Sequence, residues 1–242
     1  MLAIATVSAP DIRITNVQAD SNFLFPKSAK RLTKFMMDET FGVFPAFSAG
    51  WAQRGVLEAT AQSDFFGRLE YYQEARDRDQ HCGSILVAET PNGDICGFAD
   101  VGASLWLPND KAFRLPQDPD LRKLATTGLG ADGQPKPGVQ LRPYVSNVVV
   151  DESLRRCGIG RKLMAACEAD AESWLDSCST AGSYECDSIW LEVTTTNTEA
   201  IAFYESLGYR EAECTQGTEV QPQGDGFTMQ QVERLVMRKA IL

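Results

Sequence analysis

The stretch NVVVDESLRRCGIGRKL, residues 147–163, decides the fold and points to a ligand. It opens with a run of valines that predicts a strand, and from Ile159 its apolar spacing predicts a helix. Gly158 and Gly160 stand at the junction, where glycine lets the backbone come close to a ligand. The first turn of a helix has free N–H groups and the positive end of the helix dipole, and both favour a phosphate. The stretch therefore predicts a phosphate loop, residues 155–160, between a strand and a helix.

The charge around this phosphate loop is opposite to that of the whole chain. The 242 residues include 23 Lys and Arg against 33 Asp and Glu, a formal net charge of −10. Four basic residues nevertheless surround the two glycines: Arg155, Arg156, Arg161 and Lys162. This local excess suits a pyrophosphate, whereas a dinucleotide-binding Gly-x-Gly-x-x-Gly pattern fails because Leu163 stands where the third glycine belongs. The negative net charge argues against nucleic acid or an anionic membrane as partner. It is compatible with a cationic amine as partner, and it also serves simply to keep a protein soluble.

The residues before this stretch predict a strand, two helices and a β-hairpin. The predicted strands are 11–16, 84–90 and 95–103, and the predicted helices are 28–40, capped by Ser28, and 64–80, capped by Asp64. Asn92-Gly93 marks the hairpin turn, and residues 41–50 are predicted to form a loop. Residues 105–142 are rich in Pro and Gly, with a short helix predicted over 118–125. Because they are too long for an idle connection, they predict a functional flap, a partner-binding insert or a mobile segment.

The residues after the loop complete a mixed α/β (α+β) fold. They predict a helix from Ile159 to about Cys178 with four buried residues, Leu163, Met164, Cys167 and Trp174. They also predict strands over 144–150, 189–194, 209–214 and 233–241, and a helix that starts at Asn197 or Thr198 and ends at Leu207-Gly208. We expect a single domain over residues 1–242, with 11–83 as an N-terminal strand and two helices and 105–142 as the insert.

The sequence argues against a histidine-based triad, a metal site, a membrane-spanning helix and an N-terminal targeting peptide. His81 is the one histidine and has no Cys-x-x-Cys pair near it, so we expect neither a catalytic triad nor a metal site. The seven cysteines are odd in number and unclustered, which is typical of reduced thiols in an intracellular protein. The sequence contains no run of about 18 apolar residues, which is the length that a membrane-spanning helix needs. Residues 1–10 match neither a signal peptide nor a transit peptide.

A second stretch, IWLEVTTTNTEAIAFYESLGY at residues 189–209, makes a family resemblance specific. The phosphate loop resembles motif A of the GNAT superfamily of N-acetyltransferases, Arg/Gln-x-x-Gly-x-Gly/Ala, through Arg155, Gly158 and Gly160. The second stretch resembles that family's motif B, in the same order and with a fitting gap. The resemblance covers about residues 84–242. It implies a GNAT-like mixed, mostly antiparallel sheet of six to seven strands flanked by helices, with the insert between the third and fourth strands.

The resemblance also implies acetyl-CoA as cosubstrate, with no metal, and residues 144–214 as the acetyl-CoA-binding core, closed by a strand within 215–242. Asn197 would touch the pantetheine or the phosphate region, and Tyr204 would lie beside the sulfur and protonate the departing thiolate. The backbone of three valines would pair with the pantetheine arm: Val148, Val149 and Val150. Seven residues would surround the pyrophosphate: Arg155, Arg156, Cys157, Gly158, Ile159, Gly160 and Arg161.

Glu192 interrupts the apolar alternation of a strand that otherwise predicts burial, so its carboxylate must face a polar cleft or carry a partner. The ribosomal-protein alanine N-acetyltransferases have a similar Leu-Glu-Val stretch before Asn and Tyr, with the glutamate as proposed general base. The resemblance therefore implies that Glu192 takes a proton from the attacking amine. Two structural alternatives stay open. Glu192 could pair with an arginine at the sheet edge, and Tyr204 could be a core aromatic whose hydroxyl bonds to backbone.

The sequence favours a protein amine as the acceptor and leaves a small amine as the alternative. Leu191-Glu192-Val193 favours a protein N-terminus, whereas residues 141–147 and the phosphate loop also resemble plastid and cyanobacterial-type enzymes that modify N-termini and lysines. A small amine such as a polyamine or aminoglycoside is the alternative acceptor, and a non-catalytic CoA-binding regulatory domain is the alternative function. We expect a monomer or homodimer. The compartment is either the plastid stroma, from the resemblance, or the cytosol, from the missing leader.

Overall fold

A single twisted sheet organises the protein, with helices on both of its faces. The structure is a computed structural model, which describes residues 11–17, 25–42, 48–77, 82–114, 140–178 and 187–241. The strands are β1 (Arg13–Asn16), β2 (Gly83–Glu89), β3 (Ile95–Leu107), β4 (Ala112–Arg114), β5 (Gln140–Val150), β6 (Ser188–Thr194), β7 (Arg210–Gln223) and β8 (Gly226–Ala240). The helices are α1 (Phe25–Phe41), α2 (Ala49–Arg76), α3 (Ile159–Cys178) and α4 (Thr198–Ser206), with one 3-10 turn at Glu152–Leu154.

The strand order is β1-β2-β3-β5-β6-β8-β7, and β4 pairs with β3 outside this path. All paired strands are antiparallel except β5 and β6, which run parallel. A mixed, mostly antiparallel sheet flanked by helices is therefore confirmed. The described residues form eight strands rather than the predicted six to seven. The additional strand is β4, whose three residues are too few to show an alternating pattern.

Each face of the sheet is covered by its own apolar core. Helix α3 covers one face, and the four residues predicted to be buried on it are at most 2% exposed: Leu163, Met164, Cys167 and Trp174. Helices α1 and α2 cover the other face with a core that includes Leu32, Leu69 and Tyr72, all fully buried. Burying one such side chain stabilises the fold by roughly 1.5–3 kcal/mol, so these two cores fix the helices on the sheet.

Helix α2 is the element that the sequence prediction places least well. Its N-cap is Ser48, whose side chain accepts a hydrogen bond from the Trp51 amide, so the predicted cap at Asp64 and the predicted loop up to Gly50 are wrong. Trp51 and Val56 are 48% and 67% exposed, so the apolar residues of the first turns do not follow one helix face. The predicted cap at Ser28 is also wrong, because α1 already begins at Phe25.

The sequence prediction also missed strand residues that are mostly polar. The predicted strands 209–214 and 233–241 are too short, because residues 215–232 extend β7 and β8 into a long hairpin, closed by Gly224 with a φ of 60°. Thr, Glu and Gln dominate this hairpin, so no apolar alternation marks it. The hairpin at 84–103 is confirmed, although only Gly93 of the Asn-Gly pair has a positive φ, 82°.

The predicted insert over 105–142 is too wide at both ends. Its first residues complete β3, Ala112–Arg114 form β4, and its last residues begin β5. Residues 115–139, including the predicted helix over 118–125, lie outside the described residues. The assignment of all 242 residues to one domain stays a prediction.

Candidate active site

The sheet opens between β5 and β6, and this β5–β6 gap organises the candidate site. The two strands pair only through Tyr144 with Trp190 and Val145 with Leu191. Beyond that point β5 contains a bulge. Asp100 of β3 pairs with Ser146 of β5, and the next pair is Phe98 with Val149. The same interval therefore takes two residues on β3 and three on β5, which leaves one extra residue in β5. A bulge bends its strand, so β5 turns away from β6.

The edge of β5 beyond the bulge is open on the side of β6. In the described ranges, no pairing between the two strands continues past Val145. Val149 and Val150 therefore pair with β3 alone, and Val148 lies in the bulge between Ser146 and Val149. The unpaired N–H and C=O groups of a strand edge suit an extended ligand that adds itself as a further strand. The three valines predicted to meet a pantetheine arm thus lie on an edge of the right kind.

The phosphate loop contains two residues with a left-handed backbone. Gly158 has a φ of 83°, a left-handed conformation that favours glycine, and Arg156 also has a positive φ, 65°. Helix α3 begins at Ile159 as predicted, and its first bond runs from the Lys162 amide to the Gly158 carbonyl at 3.0 Å. The amides before Lys162 are therefore left over for a ligand.

Gly160 is also constrained by packing. A Cβ added there would lie 3.2 Å from Cζ of Phe203, a residue of α4. At Gly158, by contrast, an added Cβ meets no atom within 4 Å, so its constraint is the positive φ. The two glycines of the motif thus serve separate needs, since Gly158 shapes the loop and Gly160 lets two helices approach.

The basic side chains of the loop divide into an anchor and exposed charges. Arg155 Nε donates to the Val150 carbonyl at 3.2 Å, and Arg155 Nη2 lies 3.8 Å from a carboxylate oxygen of Glu39 on α1. The same oxygen accepts from the Glu152 amide at 2.8 Å, which ties the loop to α1. The Arg156 side chain is 86% exposed and lies 3.9 Å from that of Glu199, a solvated pair worth little to stability. It is therefore free to meet a phosphate.

Glu192 is held by three side chains in a polar cavity. The Tyr144 hydroxyl donates to its Oε2 at 3.2 Å, the Thr215 hydroxyl donates to its Oε1 at 3.2 Å, and Arg234 Nη1 lies 3.6 Å from Oε2. The carboxylate is only 10% exposed and lines a cavity of about 610 Å³. Both interpretations of Glu192 are therefore present together, since it faces a polar cleft and carries an arginine partner. Burial and the nearby Glu192 raise the pKa of Tyr144, which keeps its hydroxyl a donor.

The cavity lies on the face of the sheet that α2 covers. Its charged lining comprises three acidic residues, Asp64, Asp110 and Glu192, and four basic residues, Arg68, Lys111, Arg114 and Arg234. The acidic excess of the whole chain is therefore not gathered in this cavity. Glu192 is in addition neutralised in part by Arg234. A polycation would find no concentrated negative charge here.

Tyr204 lies on the opposite face, in the apolar cluster beside α3. Its ring packs edge-on against Tyr209, with ring centres 5.9 Å apart, and its hydroxyl has no hydrogen-bond partner among the residues that the structure describes. Burial, with a contribution from Cys167, raises the pKa of Tyr204 to about 12, so the hydroxyl is protonated at neutral pH. Glu192 and Tyr204 thus lie on opposite faces of the sheet.

Asn197 caps α4, as predicted. Its side-chain oxygen accepts from the Ala200 amide at 3.2 Å, and the helix extends to Ser206 with Gly208 following at a φ of 95°. Because the oxygen is engaged in capping, the side-chain NH₂ is the group that Asn197 could offer a ligand.

The residues around Glu192 were missed by the sequence prediction. Tyr144 and Thr215 lie 48 and 23 residues away from it along the chain, and Arg234 follows on yet another strand. No local pattern joins these positions. Only the strand order β5-β6-β8-β7 brings them together.

Comparison with known proteins decides the family. Residues 54–209 match the model of the acetyltransferase (GNAT) family. The chain belongs to the GNAT acetyltransferase family. A 66-residue segment of the chain is 41% identical to the ribosomal protein bS18-alanine N-acetyltransferase of Salmonella typhimurium. It is 39% identical to the ribosomal protein bS18-alanine N-acetyltransferase of Escherichia coli. Each match spans 27% of this chain and 38% of the relative, so the chain matches well under half of the length of these relatives.

Solved structures agree on the GNAT fold. A GNAT acetyltransferase from Streptococcus pneumoniae has a TM-score of 0.50 at 15% identity, covering 96% of this chain and 100% of that one. Arabidopsis thaliana NAA60 in complex with acetyl-CoA has a TM-score of 0.50 at 14% identity, covering 95% and 98%. At such identities the likeness concerns the fold alone.

Within the described ranges, no group of three or more His, Cys, Asp or Glu side chains could hold a metal ion. No helix in the same part of this GNAT protein is long and apolar enough to cross a membrane. His81 lies outside the described residues. The roles of the site residues, the oligomeric state and the compartment stay predictions.

Proposed function

We propose that this protein transfers an acetyl group from acetyl-CoA to a primary amine, either a protein N-terminal α-amine or a lysine ε-amine. The observation that carries the proposal is the Glu192 carboxylate, held in a polar cavity beside the β5–β6 gap. Membership of the GNAT family and the segment similar to alanine N-acetyltransferases support it.

The residues on the α3 side fit acetyl-CoA, which supplies an activated acetyl thioester. The positive φ of Gly158 and the leftover amides of α3 would hold the pyrophosphate, with Arg156 adding charge. The open edge of Val148–Val150 would hold the pantetheine arm, and the Asn197 amide would donate to it.

Glu192 and Tyr204 would carry the proton transfers from opposite sides of the β5–β6 gap. Glu192 would accept the proton of the ammonium group, directly or through one water, because only the free amine attacks a carbonyl carbon. Tyr144 and Thr215 would hold its carboxylate in position for this step. Tyr204 would donate its proton to the departing thiolate, and its unbonded, protonated hydroxyl suits an acid.

The charge balance of the cavity supports a peptide rather than a polyamine as acceptor. Three acidic and four basic side chains line it, and Glu192 is partly neutralised by Arg234. A polycationic small molecule binds best where acidic groups are in excess. A peptide presents one amine together with neutral amide groups that can bond to polar walls.

The test is incubation of the protein with acetyl-CoA and a mixed peptide library, beside a panel of small amines. We expect thiol release together with peptides that mass spectrometry shows to be acetylated at N-termini or lysines. Acetylation of small amines alone would contradict the acceptor class. Binding of acetyl-CoA without thiol release on any acceptor would instead indicate a regulatory CoA-binding domain.

For the compartment, we propose a reducing one, because the seven cysteines are odd in number and unclustered along the chain. A fluorescent fusion imaged in the source cells would distinguish the plastid stroma from the cytosol. Secretion of the fusion would contradict the proposal.

A further inference from the structure

A network of charged side chains is buried between α2 and the sheet, beside the cavity. Arg68 of α2 is 13% exposed and Asp100 of β3 is 1% exposed, and the two form an ion pair. Arg68 Nη1 also donates to Ser146 Oγ of β5 at 3.0 Å. Its Nε and Nη2 bond to Asp64 at 2.9 and 2.7 Å. Four of the five N–H donors of Arg68 are thus engaged by the protein itself, so this guanidinium is built to hold protein groups rather than a ligand.

The surroundings of Asp100 are shaped to keep this network in place. The Tyr72 hydroxyl donates to Asp100 Oδ1 at 2.9 Å, and the Tyr72 ring lies over Gly83 and Gly102, which face each other across β2 and β3. A Cβ at either glycine would overlap the Tyr72 side chain. Burial and the Asp100 carboxylate raise the pKa of Tyr72, so it stays a donor. Apolar residues of equal volume often stabilise a core as well as a buried ion pair does, so stability alone does not explain the network.

The network ends on the bulge in β5. Ser146 is the last β5 residue paired in register before the bulge, and its hydroxyl donates to Asp100 Oδ2 at 3.3 Å. Asn147, the next residue, has a φ of 53° and donates from its side chain to Ser146 Oγ at 3.4 Å. Asn takes this left-handed conformation more readily than most non-glycine residues, and its surroundings still have to hold it there. The contacts of Ser146 supply that support.

We infer that Arg68 is a positioning residue that, through Asp100 and Ser146, fixes the bulge in β5 and with it the strand edge Val148–Val150. The inference rests on the proposed function, in which that edge receives the pantetheine arm of acetyl-CoA. Arg68 and Ser146 also line the cavity proposed to bind the acceptor. The same network therefore fixes the position of this cavity relative to the strand edge proposed to bind acetyl-CoA.

The test measures binding of two ligands to the full chain by isothermal titration calorimetry. One is CoA, and the other is 3′-phosphoadenosine 5′-diphosphate, which contains the pyrophosphate but no pantetheine. We expect Ser146→Ala and Arg68→Lys to weaken CoA binding about ten-fold, the effect of losing one charge-assisted hydrogen bond, and to leave the shorter ligand within about two-fold. A loss of general stability would affect both ligands or neither.

Arg54→Lys is the matched control. Arg54 is also on α2, is 7% exposed and pairs with Asp38 of α1, but it forms no hydrogen bond or ion pair with β5 among the described residues. We expect Arg54→Lys to lower the melting temperature as Arg68→Lys does and to leave CoA binding unchanged. If it weakens CoA binding equally, helix packing is responsible and the inference is wrong.

The remaining outcomes separate the inference from the proposed function. If Arg68→Lys does not fold, Ser146→Ala, which removes a single hydroxyl, decides the question. CoA binding as tight in Ser146→Ala as in the unmodified protein would overturn the inference. If the unmodified protein binds CoA but acetylates no amine, the proposed function falls, while a selective CoA defect in Ser146→Ala still upholds the role of the network.

Discussion

The two halves of the candidate site are assembled in opposite ways. The cosubstrate half uses the phosphate loop, residues 155–160, and the β5 edge directly before it. The acceptor half draws Tyr144, Glu192 and Arg234 from β5, β6 and β8. A contiguous half is fixed by local backbone geometry, whereas a dispersed half is fixed by the fold and can change one residue at a time. Variants in the two halves should therefore separate acetyl-CoA binding from acceptor use.

Glu192→Gln should have the largest effect. The amide keeps the size of the side chain but cannot accept the ammonium proton, so kcat should fall at least about 100-fold, the lower end of general-base contributions. Calorimetric affinity for CoA should not change. Glu219→Gln is the matched control, because Glu219 also lies near Arg234, at 3.9 Å, and should leave kcat within about two-fold. Equal losses in the two variants would show that the charge around Arg234, rather than a base, matters.

Tyr204→Phe should lower kcat by about 10- to 100-fold, because the departing thiolate loses its proton donor. Since burial raises the pKa of Tyr204 to about 12, the acid stays protonated below that pH and is lost only above it. The kcat of the unmodified protein should therefore show no fall caused by Tyr204 between about pH 7 and about pH 10. Tyr209→Phe, which removes a hydroxyl bonded to Glu168 at 3.2 Å, should lower stability and spare kcat. A Tyr204→Phe variant with full kcat would exclude the acid role.

Gly158→Ala should act on the cosubstrate half alone. The left-handed φ of 83° costs an alanine roughly 1–2 kcal/mol, so the loop should distort and the KM for acetyl-CoA should rise about five- to ten-fold, with the acceptor KM unchanged. Gly93→Ala is the control, since Gly93 has a φ of 82° in the β2–β3 turn. It should lose similar stability in chemical denaturation and keep its KM. A parallel rise of both KM values in Gly158→Ala would contradict the division into halves.

Replacement of residues 115–139 by a short Gly-Ser linker should have the smallest effect and act on the acceptor half. Residues 105–142 cannot be removed whole, because their ends belong to β3 and β5. We expect the ratio of kcat/KM between two peptide acceptors to change about two- to five-fold, with the KM for acetyl-CoA within error, since strand β4 beside this segment lines the cavity. Equal losses for acetyl-CoA and acceptors would assign the segment a structural role.

This contrast also explains what could be predicted from the sequence. The helix start at Ile159 and the cap at Asn197 both depend on neighbouring residues, and both are found in the structure. The Glu192 partners Tyr144 and Thr215 depend on strand order, which no short pattern encodes. They could be found only after the sheet was known.

Errors in the elements have a similar cause. The start of α2 at Ser48 was missed because Trp51 and Val56 are exposed, so an apolar face appears only further along the helix. The predicted strands 209–214 and 233–241 are too short because polar residues dominate the stretch between them. Periodicity identifies elements that cover a core, and it is silent where an element faces water on every side.

Among the described residues, strands β1 and β7 end the sheet, and this has a consequence for how the protein behaves in a crowded solution. An open strand edge is a template on which a second chain can pair. Strand β1 offers only four residues, whereas β7 is long but carries Glu211, Glu213 and Glu219. Two copies approaching through β7 would bring these carboxylates together, in a protein whose net charge is already −10. Low ionic strength near neutral pH should therefore keep the molecules dispersed, and acid or concentrated salt should promote edge-to-edge association.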